Sequence, residues 1–195
     1  MTIVPITLQG RYVRLEPLSM DHLASLCEVA FEPEMWRWML NDVATPVDVV
    51  EFIKCALAEQ SQGVSLPFAK IDVATGRSIG STRYLNISTA NRRLEIGSTW
   101  IGSGWRRTAA NTESKLLLLR HAFETLGALR VEFKTDELNT RSRTAILRIG
   151  AQFEGIFRKH MVMPNGRVRN SAYYSIIDDE WPAVKAGLEQ KLPAS

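Results

Sequence analysis

Residues 104–126 read GWRRTAANTESKLLLLRHAFETL, and the fold turns on this stretch. Arg106 and Arg107 open it, and small or hydrogen-bonding residues follow: Thr108, Ala109, Ala110, Asn111 and Thr112. Leu116, Leu119, Phe123 and Leu126 then recur at i, i+3, i+7 and i+10, the spacing of one buried helix face. A strand over Leu94 to Ile101 is expected just before it. The first N–H groups of a helix lack partners inside it, and the macrodipole adds partial positive charge there. Small side chains let an anion approach that backbone. Alone, the stretch supports two readings equally: a phosphate-binding loop and helix start, or an amphipathic helix behind a basic loop.

Working outward, the chain has 195 residues, 45% hydrophobic and 23% charged, which suits one domain, 1–195, with one well-filled core. Net charge is +3, from 24 basic against 21 acidic residues. That excess fits a local basic site for a small polyanion as well as weak nucleic-acid binding. Cys27 and Cys55 fall in expected helices with apolar neighbours and read as buried free thiols of a reducing, cytoplasmic location. Two cysteines without clustered histidines make no zinc site. The opening MTIVPITLQG has no basic segment or long apolar run, so no signal peptide and no membrane span are expected.

Before the central stretch, Tyr12 to Leu18 alternates as a strand. Ser19 is placed to cap a helix from Met20 to about Ala30. A short helix, Glu34 to Leu40, carries Trp36 and Trp38. Thr45-Pro46-Val47-Asp48 starts a helix that runs to about Gln60, ended by Gly63. The period then becomes two. Strands Leu66 to Asp72, Ser78 to Ile87 and Arg93 to Ile101 are expected to form an antiparallel meander. After the central helix, closed by Gly127, come a strand Leu129 to Thr135 and a helix from about Thr140 to Ile149. Asn165-Gly166 then joins two strands, Ala151 to Met163 and Val168 to Ile177, as a hairpin. Asp178 and Asp179 start a terminal helix containing Trp181. This order implies an α+β domain with a mixed, mostly antiparallel sheet flanked by helices, and one parallel pair across residues 94–135.

Four segments in this order carry a resemblance: LEIGSTW from Leu94, NTESK from Asn111, DELNTRS from Asp136 and LRIGA from Leu147. The chain resembles the GNAT superfamily of acyl-CoA N-acyltransferases, in the branch similar to the RimJ and RimL ribosomal-protein N-terminal acetyltransferases. The resemblance implies an acetyl-CoA-dependent N-acetyltransferase that acetylates a primary amine, either a protein N-terminus or a small amine. It implies a strand splay that holds the cofactor arm. The family's pyrophosphate loop, Gln/Arg-x-x-Gly-x-Gly/Ala, aligns with Arg106-Arg107-Thr108-Ala109-Ala110-Asn111 and continues to Thr112. Ala109 and Asn111 depart from it, and alanine would be strained wherever a positive φ is required. By the same resemblance Thr99, Trp100 and Ile101 hold the pantetheine arm, Asn139 bonds it from the other side, and Ser142 lies near the sulfur.

Amine acetylation from a thioester needs a base for the amine proton, a backbone N–H for the oxyanion and a donor for the thiolate. Glu95 is the candidate base, with a surface pairing to Arg92 or Arg93 as the alternative. Ser142 is the candidate donor, with helix capping as the alternative. Tyr84, Tyr173 and Tyr174 are further acids, each as readily core residues. His22, His121 and His160 are too scattered to support a nucleophilic triad. Glu113 is expected to face away and stabilise its helix start. Trp36 and Trp38 either pack or wall the acceptor site. Arg158, Lys159, Arg167 and Arg169 read as a solvated hairpin edge. Two other functions are weighed: a non-catalytic acyl-CoA-binding regulatory module of the same fold, and a nucleic-acid-binding domain, which lacks a recognition motif. The oligomeric state stays open, a homodimer included.

Overall fold

The computed structural model describes residues 1–193. Among the described residues, eight strands form one sheet in the order β1-β2-β3-β4-β5-β6-β8-β7. β1 is Leu8–Gln9, β2 Val13–Pro17, β3 Leu66–Asp72, β4 Ser78–Ser88 and β5 Arg93–Ile101. β6 is Arg130–Asp136, β7 Gln152–Val162 and β8 Val168–Ile177. Six α-helices accompany them among the described residues: α1 Leu23–Ala30, α2 Pro33–Trp36, α3 Pro46–Ser61, α4 Ala109–Arg120, α5 Thr140–Arg148 and α6 Trp181–Glu189. The β3-β4-β5 meander, the β7-β8 hairpin and the parallel β5-β6 pair all match the alternation and turn signals of the sequence.

Local chemistry sets the helix starts. Thr45 accepts from the Asp48 N–H while the Asp48 carboxylate reaches back to Thr45, and Pro46 occupies the first helical position. Ser19 caps as expected, but its first turn, Met20–His22, is a 3₁₀ segment ahead of α1. The Trp36–Trp38 helix is shorter than expected and ends at Trp36.

The sheet lies between two cores. On one face α4 packs with Leu15, Phe68, Tyr84, Leu94 and Val131. On the other, Leu26, Trp36, Phe52, Ile71 and Trp100 form a second core beneath α1 and α3. α4 is more deeply set than a one-sided amphipathic helix: Leu116, Leu117, Leu118 and Leu119 are all buried. After Arg120 the helix widens into a π-turn over His121–Thr125, with the Leu126 N–H donating to the His121 carbonyl, and Gly127 closes it at φ 65°.

β5 carries the irregularity that matters most. Its register with β4 jumps between Ser81↔Trp100 and Arg83↔Gly97, so one residue bulges, and Ser98 takes φ 46°. The bulge reverses the alternation. Leu94 and Ile96 point to the α4 core, yet beyond Ser98 it is Ile101 that does so while Trp100 joins the opposite core. Thr99 is thereby turned toward α4, where its hydroxyl meets the Lys115 amine at 3.2 Å.

Candidate active site

β5 and β6 pair only over Arg93↔Arg130, Leu94↔Val131 and Glu95↔Glu132. Past Glu95 the two parallel strands part, and the β5 backbone groups facing that gap have no ladder partner on β6. A cleft of about 470 Å³ passes through the gap. Trp38, Met39, Arg83, Glu95 and Arg169 line it on one side of the sheet, and Lys115, Ala145, Ile146 and Ile149 on the other. Gly97, Ser98, Thr99, Thr135, Asn139 and Ser142 also line it.

Glu95 is 2% exposed, so the surface-pairing alternative fails: Arg93 reaches Glu132 and Arg92 the Gly127 carbonyl instead. One Glu95 oxygen accepts from Asn86 Nδ2 at 2.8 Å and lies 3.4 Å from Lys134 Nζ. The other lies 2.9 Å from where a Cβ on residue 97 would sit, so glycine there leaves the carboxylate room to face the cleft. Asn139, not Ser142, caps α5: its Oδ1 accepts from the Ser142 N–H at 3.1 Å. The Ser142 hydroxyl has no protein partner among the described residues, and Ser142 lines the cleft.

Among the other expected cofactor residues, Trp100 is 3% exposed and packs against Trp36 and Phe52, so it offers backbone only. Ile101 and Ala110 are likewise core residues. Thr112 is buried and accepts from Arg148 at 3.4 Å, which removes its side chain from an anion site. Asn111 accepts from Lys70 Nζ at 3.4 Å. Ala109 and Asn111 sit in the first turn of α4, and the left-handed residue of the loop is Arg107, at φ 63°. The missing glycines therefore cost no strain at their own positions.

Arg106 and Arg107 differ. Arg106 is taken: it donates to Glu32 at 2.7 Å and to the Ile101 carbonyl at 3.3 Å, while Glu32 also accepts from the Ser103 N–H. Burial pushes the Glu32 carboxyl up, but the bonds from Ser103 and Arg106 outweigh it and hold the group below its ordinary value. Arg107 is exposed, and its guanidinium has no protein partner among the described residues. Thr108 caps α4 beside it.

Several expectations are corrected by long-range contacts. Glu113 does not face away; its carboxylate accepts from the backbone N–H groups of Arg11, Tyr12 and Val13. Trp36 packs, whereas Trp38 walls the cleft. Arg167 and Arg169 are not a solvated edge: Arg167 pairs with the buried Asp136, and Arg169 is 5% exposed and lines the cleft. Cys55 is exposed and Cys27 half-buried, and both are free. Tyr84 is buried with its hydroxyl on the Leu118 carbonyl at 2.6 Å, and burial raises its pKa well above the usual tyrosine value, which removes it as an acid. Tyr174 is also core and accepts from Arg143. His121 stacks on Tyr84, and His160 bonds Ser171 and Tyr173, so no triad forms.

The sequence reading missed Lys70 and Lys115, two buried-side lysines on the α4 face. Lys115 bridges the parted strands, with its amine at Thr99 and over the Phe133 ring at 5.5 Å. Burial lowers its pKa from 10.5 to about 7, and burial with the neighbouring Lys115 charge drives Lys70 well below that ordinary value. The signal was present: a lysine between Ser114 and Leu116, in the middle of a buried helical run.

Comparison with known proteins agrees with this fold. The model of the acetyltransferase (GNAT) domain matches residues 13–152. The "uncharacterized N-acetyltransferase p20" of Bacillus licheniformis is 25% identical over 179 residues, which cover 90% of this chain and 98% of that protein. A GCN5-related N-acetyltransferase from Brucella melitensis superposes with a TM-score of 0.90 at 35% identity, covering 96% of this chain and 86% of that one. Mycobacterium smegmatis RimJ in complex with CoA-disulfide shares the fold, at a TM-score of 0.77 and 22% identity, covering 91% and 88%.

Proposed function

The chain belongs to the GNAT acetyltransferase family, and we propose that it moves an acetyl group from acetyl-CoA directly to a primary amine in the cleft between β5 and β6. The observation that carries this is the splay itself: an unpaired length of β5 backbone borders a cleft through the sheet that gathers Glu95, Thr99, Asn139 and Ser142. Acetyl-CoA supplies an activated thioester. The remaining chemistry belongs to the protein's side chains and backbone.

The β5 backbone around Thr99, Trp100 and Ile101, paired with β4 but not with β6, suits the amides of a pantetheine arm, and the Asn139 amide nitrogen, without a protein partner among the described residues, suits a bond to it from the α5 side. The start of α4, with Thr108, Ala109, Ala110 and Asn111, and the unpartnered Arg107 suit the diphosphate. Arg106 shapes this loop through Glu32 rather than meeting the phosphates. The amine must lose a proton to react, and Glu95 accepts it, directly or through a water. Lys134 and Asn86 hold that carboxylate fixed in direction between turnovers. Ser142 donates a hydrogen bond at the thiol end. The acceptor is a protein N-terminus or a small amine.

Thiol release from acetyl-CoA, measured against a panel of primary amines, tests this reading. Amine-dependent release supports it. Tight acetyl-CoA binding without turnover on any amine leaves the fold acting as a regulatory binding module instead.

A further inference from the structure

Arg169 is the charged residue that the acetyl-transfer reading leaves unused. It is 5% exposed, yet its only protein hydrogen bond among the described residues runs from Nε to the Ser171 hydroxyl, at 3.0 Å. Arg169 lines the same cleft as Glu95, and its remaining guanidinium donors have no protein partner among the described residues. A buried guanidinium without a counter-ion is costly. The carboxylates nearby are already committed. Asp136 holds Arg167 and the Leu138 N–H, and Glu95 holds Asn86 and Lys134.

Strand register says which half of the cleft Arg169 serves. Glu95 pairs Glu132, Glu132 pairs Ser175, Lys134 pairs Tyr173 and Asp136 pairs Ser171. Side chains alternate along a strand, so Glu95, Lys134, Ser171 and Arg169 lie on one face. Phe133, one residue out of phase, meets Lys115 on the face that α4 covers. The phosphate-binding start belongs to α4. Arg169 therefore shares the base's side of the sheet, with Trp38 and Met161 beside it in the cleft wall. On that side Arg83 pairs with Glu59 and Lys134 with Glu95, while Arg169 feels the Asp136 and Glu95 charges without an ion pair to either among the described residues.

Resting on the acetyl-transfer reading of the same cleft, we propose that Arg169 binds a carboxylate carried by the acceptor, so that the acceptor is an amino acid-like molecule. The planar guanidinium fork presents two parallel N–H donors to a carboxylate, which fixes the acceptor's orientation as well as its charge. The acceptor's amine then lies toward Glu95, and the distance between the two groups sets the preferred chain length.

The test compares ω-amino acids of increasing length with the alkylamines of the same length, as acceptors for wild type and Arg169→Gln. The wild type is expected to favour the acid at one length by roughly ten- to a hundredfold in kcat/KM, the worth of hydrogen bonds to a charged group. In Arg169→Gln that ratio collapses toward parity, chiefly through KM, and Arg169→Lys restores part of it. Alkanoates lacking the amine should inhibit wild type competitively with the acceptor and not with acetyl-CoA, a readout that needs no variant. Equal or better use of the alkylamines overturns the proposal and leaves the acetyltransferase reading intact. If no amine is acetylated, calorimetry with the ω-amino acids on the CoA-loaded protein decides: binding lost in Arg169→Gln supports the carboxylate site, and no binding to wild type refutes it.

Discussion

Replacing Glu113 by glutamine changes one atom of a side chain that holds the N-terminal hairpin onto α4. Its Oε1 accepts from Arg11 N at 2.8 Å, and its Oε2 from Tyr12 N at 2.7 Å and Val13 N at 2.8 Å. Glu113 is 6% exposed, and a Cβ at Gly10 would sit 2.5 Å from its carboxylate, so chain and carboxylate are in close contact. Glutamine keeps one acceptor oxygen. If that oxygen faces Tyr12 and Val13, those two bonds lose their charge assistance, and the Arg11 N–H faces an NH₂ donor. The exposed Arg11 backbone can turn to water; the buried Val13 N–H cannot. With charge-assisted bonds worth about 1.5–3 kcal/mol and neutral ones about 1, Glu113→Gln should cost roughly 2–3 kcal/mol. Glu113→Ala removes both acceptor oxygens and all three bonds and should cost roughly 4–5 kcal/mol. For a chain of this size those losses lower Tm by roughly 5–10 and 10–15 °C. Urea unfolding and thermal scans measure both. A loss below about 0.5 kcal/mol for Glu113→Gln, within the range of an ordinary surface change, would refute the anchoring role.

Three further outcomes are expected. Arg107→Ala weakens acetyl-CoA binding by isothermal titration while Arg107→Gly, which relieves the left-handed backbone, also raises stability by about 0.5–1 kcal/mol; equal affinity in both variants and wild type removes Arg107 from the phosphate site. Lys115 keeps its ordinary value of 10.5 when unfolded and about 7 when folded, so between those values the unfolded chain binds more protons and stability rises with pH. Lys115→Met should therefore be more stable than wild type near neutral pH, with the difference shrinking toward about pH 10; a constant difference across that range contradicts the assignment. Ser142→Ala should lower kcat roughly tenfold, the worth of one hydrogen bond, with Tm unchanged because Asn139 caps α5; a fall in Tm with full activity would return Ser142 to a structural part.

Much of this fold lies in local signals. Alternation over Leu66–Asp72 and the Asn165-Gly166 turn place strands because each strand's period and each turn's backbone are written in neighbouring residues. The Ser98 bulge is not legible in that way. Gly97, Ser98 and Thr99 are all small or polar, so nothing in the pattern marks where the alternation reverses, and only packing of Trp100 into the second core reveals it. The same limit governs the site. Glu95, Asn139 and Ser142 stand out in the sequence because they sit in contiguous motifs, and the fold brings them to one cleft. The partners of Arg106, Glu113 and Arg169 lie far along the chain or on another strand, at Glu32, Arg11–Val13 and the wall of the cleft. Charge and the family's loop pattern assigned Arg106 to phosphate, and the hairpin pattern assigned Arg169 to a solvated edge; in the structure Glu32 engages Arg106 and Arg169 is buried.

The most direct measurement of the central claim is amine-dependent thiol release from acetyl-CoA by wild type and Glu95→Gln, with acetyl-CoA affinity measured on the same samples. The cleft chemistry predicts release that requires an amine, a kcat lowered by about 10²–10⁴-fold in the variant, and an acetyl-CoA Kd shared by the two proteins. Undiminished turnover in Glu95→Gln, or acetyl-CoA bound by wild type with no amine ever acetylated, would contradict it.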